Sequence, residues 1–430
     1  MEQVKEKTIF LERLEKIKKK SAKVAVVGLG YVGLPHAIHY GQLGFPVTGI
    51  DISDWKIRLL EEGKSYIDDI EDHAVNHFIQ NNEVTTSFDD ITKCDVIVID
   101  VPTPLDQNNQ PYMVHLETAL EEILSRVQEG QLLVLESTTY PTTTQKYIID
   151  PLEKQGWTIG ESIFVVYSPE RIDPGNQQYS IHNTPKLVGG YTDQCQQLGT
   201  TFYGEQAVSV SSPEVAELSK LYENTFRFVN IALANELHLI CSELYLDTKE
   251  VLSAAETKPF GFMRFDPAVK IGGHCIGVDP YYLQWYMKQH RLETTMINAA
   301  SQLDQQMIPH TVSKIYSLMN EQRIPIFDAS VAIVGVTYKK NISDTRLSAA
   351  PELADALENQ GITVTLMDPL TAMCGQRTVL DVDYSKLNDY DLVILLTDHD
   401  CLDYQQLSEY STILFDTKRE KFFDRSIECC

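Results

Sequence analysis

The sequence feature that most constrains the fold is a glycine-rich loop between a short apolar segment and a helical one. Residues 23–27 are apolar after the initial lysine, and they precede Gly28, Gly30 and Gly33 in a G-x-G-x-x-G pattern. A second apolar segment ends at Asp51, about 20 residues further on, as in a dinucleotide-binding βαβ unit. In such a unit the glycines permit a tight turn and let a pyrophosphate approach a helix N-terminus. The sequence therefore favours a dinucleotide site over a glycine-rich turn without a ligand.

The acid at the end of the second segment favours NAD over NADP as the dinucleotide. The carboxylate of Asp51 would hydrogen-bond the ribose of the adenosine and would repel a 2′-phosphate. No arginine directly follows Asp51 to neutralise such a phosphate. Arg58, in the next predicted helix, is a candidate contact on the adenine side, and Tyr31 and Val32 within the glycine loop are further candidate cofactor contacts.

Further apolar segments, with helical stretches between them, each end in a polar loop. These segments occupy residues 95–100, 132–135 and 164–167. The loops that follow contain Thr103, Thr138 and Glu170. Because ligands bind beyond the carboxyl ends of parallel strands, these three side chains are candidates for the cofactor and reaction cleft. Each could instead be a cap or a turn residue.

A long amphipathic helix is predicted from residue 213 to about Leu244. It follows a Ser-Ser-Pro-Glu start signal, and apolar residues recur along it at spacings of three and four. Lys220 and Asn224 lie four residues apart and so share a face, where they could hold an oxyanion by charge and hydrogen bond. The alternative for this pair is a solvated helix face. A helix this long and apolar also suits a spacer between domains and the interface of a homodimer or higher homo-oligomer.

The most reactive candidate is Cys275, which follows Gly272 and Gly273 and precedes Asp279 by four residues. Glycines let the backbone pass close to a ligand, so a cysteine there is placed to attack one. The thiolate is the reactive form, and the charge of Asp279 would raise the thiol pKa. A cation is therefore required, for which Lys220 is the candidate. The alternative is a structural cysteine buried in a tight turn.

The segment before the cysteine loop, residues 257–265, is aromatic and rich in Gly and Pro, and it is predicted to cover a ligand. Phe262, Arg264 and Phe265 are its candidate substrate contacts, and Arg171 beside Glu170 is another.

The order of apolar segments repeats near the end of the chain. The second series occupies residues 331–336, 363–368, 391–398 and 413–417. It lacks the three glycines and instead carries Lys339 and Arg346 after its first segment. A dinucleotide is therefore not expected there, whereas Lys339 could hold a nucleotide diphosphate.

Composition excludes several classes of protein. The 430 residues include 36 basic and 61 acidic ones, and the net charge of -25 argues against nucleic acid or an acidic membrane as the partner. No apolar run approaches the ~18 residues of a membrane span. The charged N-terminus has no signal core, so we expect a cytoplasmic protein. The eight cysteines show no metal or CxxC spacing, so no metal site is predicted, and Cys429–Cys430 is interpreted as a frayed tail.

In the order of its motifs, the chain resembles the UDP-sugar 6-dehydrogenases, the UDP-glucose / UDP-N-acetylhexosamine dehydrogenase family. The motifs are the glycine loop, the Lys220/Asn224 pair, the Gly-Gly-His-Cys-x-x-x-Asp loop and the Lys339/Arg346 segment. The resemblance covers residues 24–417 and is most specific at the cysteine loop. It implies two NAD-dependent oxidations that turn the C6 hydroxymethyl group of a UDP-sugar into a carboxylate.

The resemblance also implies residue roles. Cys275 would be the nucleophile that forms a thiohemiacetal and then a thioester. Lys220 and Asn224 would stabilise the oxyanion. Asp279 would act with a water as the general base, and Thr138 would help hold that water.

By the same resemblance, three more residues would contact the ligands. Glu170 matches a glutamate of the family's Ser-Pro-Glu loop, near the substrate, and Lys339 matches a substrate-side lysine. Arg346 matches an arginine near the cofactor diphosphate.

The implied architecture is an α/β fold with two Rossmann-like doubly wound domains, joined by a long central helix and a helical middle domain. We predict an N-terminal helix at residues 1–22, an NAD-binding domain at 23–210, a central dimerisation domain with the cysteine loop at 211–320, and a UDP-binding domain at 321–430.

One departure from the family bears on the substrate. UDP-glucose enzymes often carry a second glutamate four residues after the one matching Glu170, where this chain has Pro174. The chain resembles the bacterial branch that acts on N-acetylated sugars at residues 168–175, at residues 258–263 and at His274. Within that branch it is most similar to the UDP-N-acetylglucosamine 6-dehydrogenases. UDP-N-acetylmannosamine, UDP-N-acetylgalactosamine and UDP-glucose are alternative substrates.

Two interpretations outside the family also stay open. A hydroxyacid dehydrogenase that makes a single oxidation shares the Rossmann domain and the Lys-x-x-x-Asn helix, but it lacks the cysteine loop and the second sheet. A catalytically silent regulator would bind NAD without turnover of any UDP-sugar.

Overall fold

The computed structural model describes residues 2–67, 70–172, 178–273, 275–417 and 421–424. Pro174, His274 and the Cys429–Cys430 tail, which the sequence singled out, lie outside the described residues. The chain divides into two units. Unit 1 contains the residues up to 223 and residues 281–290, and unit 2 contains residues 224–280 and those from 291 onward.

Unit 1 is built on one large sheet. Its strands are β1 (Val24–Val27), β2 (Val47–Ile50), β3 (Glu83–Thr85), β4 (Val96–Ile99), β5 (Leu132–Leu135), β6 (Phe164–Tyr167), β7 (Lys186–Gly190) and β8 (Ala207–Val210). Their order is β3-β2-β1-β4-β5-β6-β7-β8, and every pairing is parallel except that of β6 with β7. The strand order reverses between β1 and β4, so the glycine loop after β1 lies at a topological switch point, where ligands bind.

Helices cover this sheet and explain why its central strands are apolar at every position. They are α1 (Glu2–Lys18), α2 (Gly33–Gln42), α3 (Asp54–Glu61), α4 (Asp72–Ile79), α5 (Val114–Leu124), α6 (Asp150–Lys154) and α7 (Asp193–Tyr203). Strands β1, β4, β5 and β6 are buried throughout, as expected for a parallel sheet with both faces covered.

The middle of the chain is helical. It contains α8 (Pro213–Leu244), α9 (Thr248–Glu256), α10 (Asp279–Gln289) and α11 (Thr295–Glu321). The Ser212 hydroxyl accepts a hydrogen bond from the Val215 amide at 3.4 Å, so α8 begins at the predicted start signal and ends at the predicted Leu244. Among the described residues, none of the helices combines the length and apolar character that crossing a membrane requires.

Unit 2 contains the second sheet. Its strands are β9 (Ser330–Val334), β10 (Thr363–Met367), β11 (Met373–Cys374), β12 (Arg377–Thr378), β13 (Leu392–Leu395), β14 (Ile413–Asp416) and β15 (Lys421–Asp424), and its helices beyond the middle region are α12 (Ala350–Glu358) and α13 (Tyr404–Tyr410). The sheet order is β10-β9-β13-β14-β15, with β15 antiparallel, and β11 pairs with β12 apart from it.

Both faces of the second sheet are buried. Along β9, Val331 and Ile333 belong to one hydrophobic cluster, whereas Ala332 and Val334 belong to another. Alternate residues of a strand point to opposite faces, so the sheet has apolar packing on both sides. The predicted fold class, with two Rossmann-like sheets and a helical middle region, is confirmed.

Candidate active site

The glycine loop after β1 is shaped by close backbone contacts and leaves one open position. Gly28 has φ +93°, and a Cβ atom there would lie 2.5 Å from the Asp100 carbonyl oxygen. A Cβ atom on Gly33 would overlap the Gly28 carbonyl oxygen, because α2 begins directly against the loop. A Cβ atom on Gly30 would have no neighbour within 4 Å. The loop therefore leaves open space beside Gly30, on the side where a dinucleotide-binding loop holds the diphosphate.

The side chain of Asp51 is hydrogen-bonded to both of the loops that follow β1 and β2. Its carboxylate accepts hydrogen bonds from the amides of Leu29 at 2.8 Å and Ser53 at 2.9 Å. Lys56, which sequence reasoning missed, forms an ion pair with it at 2.8 Å. The predicted ribose acceptor thus lies beside the glycine loop, as a cofactor-binding role requires. Arg58 is exposed on α3.

The loops after β4 and β5 are hydrogen-bonded to one another. The Thr103 hydroxyl donates to the Thr138 carbonyl oxygen at 2.6 Å. The Tyr282 hydroxyl of α10 donates to the Thr103 carbonyl oxygen at 2.9 Å. Two of the predicted cleft residues are therefore brought together, and Tyr282 is a supporting contact that the sequence pattern did not indicate.

Glu170 lies in a buried cluster of charges. One of its oxygens accepts the backbone amides of Arg171 at 2.7 Å and Ile172 at 2.6 Å. The other accepts from the Lys186 ammonium at 3.0 Å and contacts the His36 ring. Burial opposes ionisation, but the charges of Lys186 and His36 outweigh it and hold the pKa of Glu170 well below its usual range. This carboxylate is suited to anchoring its own loop.

His36 connects Glu170 to two more carboxylates. Its Nδ1 lies 2.8 Å from Asp100 and 2.6 Å from Glu136. Burial alone would lower the pKa of His36, but the three carboxylates raise it well above its ordinary value. His36, Glu136 and Glu170 have donor atoms within 4.8 Å of one another, as a metal site would need. However, the two ring nitrogens face different carboxylates, and Lys186 already neutralises Glu170, so the group is better described as an ion-pair cluster.

Two basic candidates of unit 1 lie on or against α8. Lys220 is buried on α8. Arg171 forms a forked ion pair with Glu223, with nitrogen–oxygen distances of 2.7 and 3.1 Å. Glu223 was not predicted, and it occupies much of the hydrogen-bonding capacity that Arg171 would offer a substrate.

In unit 2, the cysteine turn leads directly into α10. Cys275 is half-buried, and its carbonyl oxygen accepts the backbone amide of Asp279 at 2.9 Å. The Asp279 carboxylate is buried and accepts the side-chain amide of Asn224 at 2.5 Å. Three of the predicted catalytic residues are therefore brought together, with a thiol and a carboxylate on the same turn.

The segment before Cys275 is held by side chains that sequence reasoning missed. Asn235 of α8 accepts the Ala268 amide at 2.8 Å, and Asp304 of α11 accepts the Ile271 amide at 2.7 Å. Burial raises the pKa of Asp304 to about 6, while the hydrogen bond from Ile271 opposes the shift. These buried acceptors pair with loop amides that have no partner in a helix or a sheet. The turn at the cysteine therefore has a defined position.

Gly272 and Gly273 are required by a neighbouring loop of the protein. A Cβ atom on Gly272 would lie 2.7 Å from the Leu347 carbonyl oxygen, and one on Gly273, where φ is +96°, would lie 2.7 Å from the Tyr338 ring. The sequence attributed these glycines to ligand approach. The structure shows close packing against residues 338–347 at the same positions.

Of the other predicted substrate contacts of unit 2, Arg264 lines a cavity of 310 Å³. The cavity lining also includes Lys249 and Lys340. Arg264 forms ion pairs with Asp266 at 2.8 Å and Glu256 at 3.1 Å.

The aromatic and loop residues nearby differ in their contacts. Phe265 packs edge-on against Phe226, whereas Phe262 is 40% exposed. Arg346 forms a fork with Asp344 of its own loop, at 2.6 to 3.0 Å. Lys339 precedes the cavity residue Lys340.

The second sheet repeats the acid of the first with a different neighbour. Asp368 accepts the amides of Val336 at 2.7 Å and Leu370 at 2.8 Å, as Asp51 does from the corresponding loops. It is fully buried, with the His399 ring 3.1 Å from its carboxylate. Both oxygens of this carboxylate are thus engaged within the protein, and the expectation that no dinucleotide binds at the second sheet stays a prediction.

Comparisons with known proteins cover most of the chain. Models of the UDP-glucose/GDP-mannose dehydrogenase family match with the NAD binding domain at residues 22–207, the central domain at 214–306 and the UDP binding domain at 332–425. UDP-N-acetyl-D-glucosamine 6-dehydrogenase of Pseudomonas aeruginosa is 37% identical over 357 residues, covering 81% of this chain and 83% of that protein.

Two further relatives bear on the sugar. The Salmonella typhi protein of the same name is 33% identical over 386 residues, which cover 88% of this chain and 90% of that protein. The solved structure of a UDP-D-ManNAc dehydrogenase from Pyrococcus horikoshii is similar with a TM-score of 0.83 at 27% identity, covering 93% of this chain and 96% of that one.

We predict that alanine will affect stability at one loop glycine and NAD binding at another. Gly33→Ala should destabilise unit 1 by about 1–3 kcal/mol or more, because its Cβ atom overlaps backbone. Gly30→Ala should leave the thermal unfolding temperature unchanged but weaken NAD binding by about tenfold or more, equivalent to about 1.4 kcal/mol. Calorimetry and an NAD titration measure both effects. Wild-type NAD affinity in Gly30→Ala would show that the diphosphate does not lie beside this residue.

Proposed function

The chain belongs to the UDP-glucose/GDP-mannose dehydrogenase family, and we propose that it oxidises C6 of a UDP-N-acetylhexosamine to a carboxylate by way of a thioester on Cys275. It is an NAD-dependent UDP-sugar dehydrogenase, with the NAD binding domain of the family at residues 22–207 and the UDP binding domain at residues 332–425. The observation that carries the proposal is the turn on which Cys275 and the buried Asp279 lie together.

The thiol lets two oxidations proceed without release of an aldehyde. NAD accepts a hydride in each oxidation when it is bound. The Cys275 sulfur adds to the aldehyde carbon, and after the second oxidation the thioester is cleaved by water, which returns the thiol. The overall change is one hydroxymethyl group, two NAD⁺ and one water giving one carboxylate, two NADH and three protons.

The remaining roles are assigned by resemblance and supported by burial and hydrogen bonding. Lys220 and Asn224 are both buried and would stabilise the oxyanion of the tetrahedral intermediates. Asp279, oriented by the amide of Asn224, would activate the water that cleaves the thioester, and Thr138 would help hold that water. Glu170, which is kept ionised within its cluster, would fix the loop near the substrate.

We predict that Cys275→Ser will lower complete oxidation of the substrate by several orders of magnitude. A serine hydroxyl is a weak nucleophile at neutral pH and cannot form the thioester. NAD affinity should change little, because the glycine loop belongs to unit 1. Stopped-flow measurement of NADH and calorimetry of NAD binding test the two expectations on one preparation.

Cys401→Ser is the matched control, since Cys401 is an exposed thiol. The control should keep wild-type turnover with two NADH per substrate. One NADH per substrate in the wild type would favour a single-oxidation dehydrogenase, and NAD binding without any turnover would favour a silent regulator.

We also propose UDP-N-acetylglucosamine as the preferred substrate. The names of the two bacterial relatives support it, while the Pyrococcus horikoshii structure bears the name of a manno-configured substrate. An N-acetyl group adds a methyl and an amide at C2, and a half-exposed aromatic side chain such as Phe262 could cover the methyl. A pocket for one methyl discriminates by about 10–200-fold, and a hydrogen bond to the amide would add to this.

We expect kcat/KM to be highest for UDP-N-acetylglucosamine among four substrates measured under one condition. The comparison substrates are UDP-N-acetylmannosamine, UDP-N-acetylgalactosamine and UDP-glucose. A preference for UDP-glucose would reject the N-acetylhexosamine proposal as a whole. A preference for the manno or galacto sugar would reject only the epimer.

We further propose that the protein is a homo-oligomer through α8. Several large apolar side chains on this helix are more than 40% exposed: Val215, Leu218, Tyr222, Phe226, Leu233 and Ile240. Such a row on a single helix is typical of an association surface. A second copy of α8 is the proposed partner, since it offers the same row in return.

We predict that light scattering will give at least twice the chain mass of 48.7 kDa. Leu233→Glu should shift the mass toward that of one chain, because Leu233 is 60% exposed within the row. Leu292→Glu is the control, since Leu292 is 57% exposed but lies outside α8, and it should leave the mass unchanged. A wild-type mass of 48.7 kDa would contradict the proposal.

A further inference from the structure

A buried carboxylate on α8 holds the loop after β5. Glu217 is fully buried, three residues before Lys220 on the same helix. One of its oxygens accepts the Thr142 amide at 2.6 Å, and the other accepts the Thr144 amide at 2.8 Å and the Thr144 hydroxyl at 2.7 Å. All three donors belong to a short segment that begins four residues after Thr138.

The segment that Glu217 holds would not keep its shape by itself. Thr142 has φ +73°, which is unfavourable for a β-branched residue. Helical residues follow directly and continue through α6, so the bonds from the Thr142 and Thr144 amides satisfy donors at a helix N-terminus. Glu217 thus compensates both the local strain and the unpaired amides.

A second element holds the same loop from α10. The Tyr140 ring contacts those of Tyr282, Trp285 and Tyr286, with centroids 5.1 to 6.5 Å apart. The Thr142 hydroxyl also lies 3.1 Å from the Tyr286 hydroxyl. The loop is therefore fixed by α8 and α10 at residues that flank Thr138 on its C-terminal side.

We infer that Glu217 is a positioning residue for the reaction, which sets the place of the Thr138 loop relative to the helix that carries Lys220. The inference rests on the proposed function, in which Lys220 and Thr138 both act on the reacting C6 group. Misplacement by about 1 Å can cost on the order of 10²-fold in rate, so a loop at this position needs a rigid attachment.

A buried carboxylate at this place is costly, which supports a specific purpose. Burial raises the pKa of Glu217 to about 7, while the hydrogen bonds from Thr144 and Thr142 oppose the shift. An apolar residue would fill the space without this cost, but it would leave the Thr142 and Thr144 amides unpaired.

Glu217→Gln tests the inference. The glutamine oxygen can still accept from Thr144, but its NH₂ group would face the Thr142 amide, so that hydrogen bond is lost. We expect kcat with the UDP-sugar to fall by about 10²-fold, while KM for the UDP-sugar and Kd for NAD change less than about threefold. Rates are expressed per active site, counted from the stoichiometry of NAD binding in calorimetry, so that unfolded protein does not contribute.

Two more variants keep the test decisive. Glu214→Gln changes an acid one turn earlier on α8 that does not contact residues 142–144 in the hydrogen bonds described, and it should keep wild-type kcat. Thr144→Val removes only the hydroxyl donor and should lower kcat by a smaller factor than Glu217→Gln. If Glu217→Gln does not fold, the kcat of Thr144→Val decides the test.

The outcomes separate this inference from the proposed function. A wild-type enzyme that turns over no UDP-sugar would reject the proposed function itself. Wild-type turnover together with an unchanged kcat per active site in Glu217→Gln, or in Thr144→Val if the former does not fold, would reject the positioning role alone. A rise in KM at constant kcat would also reject it.

Discussion

A buried cluster of charges at the carboxyl edge of the unit 1 sheet holds the site loops of that unit in place. Asp100 follows β4, Glu136 follows β5, Glu170 follows β6, and Lys186 begins β7, while His36 reaches them from α2. Burial raises the pKa of Asp100 to about 6, while the charge of His36 opposes the shift. Loss of one partner from a buried pair typically costs about 3–5 kcal/mol, so the four loops and α2 are constrained together.

Each Rossmann-like sheet has an aspartate at the equivalent position, where it accepts backbone hydrogen bonds from the neighbouring loops. The side chains around the two aspartates differ. Asp51 accepts the amide of Leu29, in the loop after β1, and that of Ser53, two residues after the acid itself. Asp368 does the same with Val336, after β9, and with Leu370. In unit 1 a lysine from the next helix approaches the acid, whereas in unit 2 the His399 ring lies against it. An acid at the end of the second strand is therefore required by the turn itself.

The sequence predicted those parts that depend on local pattern. The strand series, the bounds of α8 and the close backbone packing of the glycine loop follow from apolar spacing, cap residues and glycine geometry. The anchoring side chains could not be predicted, because their partners are distant in the chain. Glu217 and Glu214 have the same chemistry one turn apart on α8, and only the fold brings Thr144 to one of them. Arg171 was predicted to contact the substrate, but its partner Glu223 lies 52 residues away.

The loops of the candidate site share one structural requirement. Loop amides lack the partners that helices and sheets provide, so buried side chains must accept them. Asn235 and Asp304 do this before Cys275, and Glu217 does it after Thr138. Burial raises the pKa of Asp304 to about 6 and that of Glu217 to about 7, values often associated with catalytic acids and bases. Here both groups are occupied by backbone donors, so a raised pKa identifies loop anchors. The proposed reactive centre is instead marked by the thiol of Cys275 and the carboxylate of Asp279, which one short turn at the start of α10 brings together.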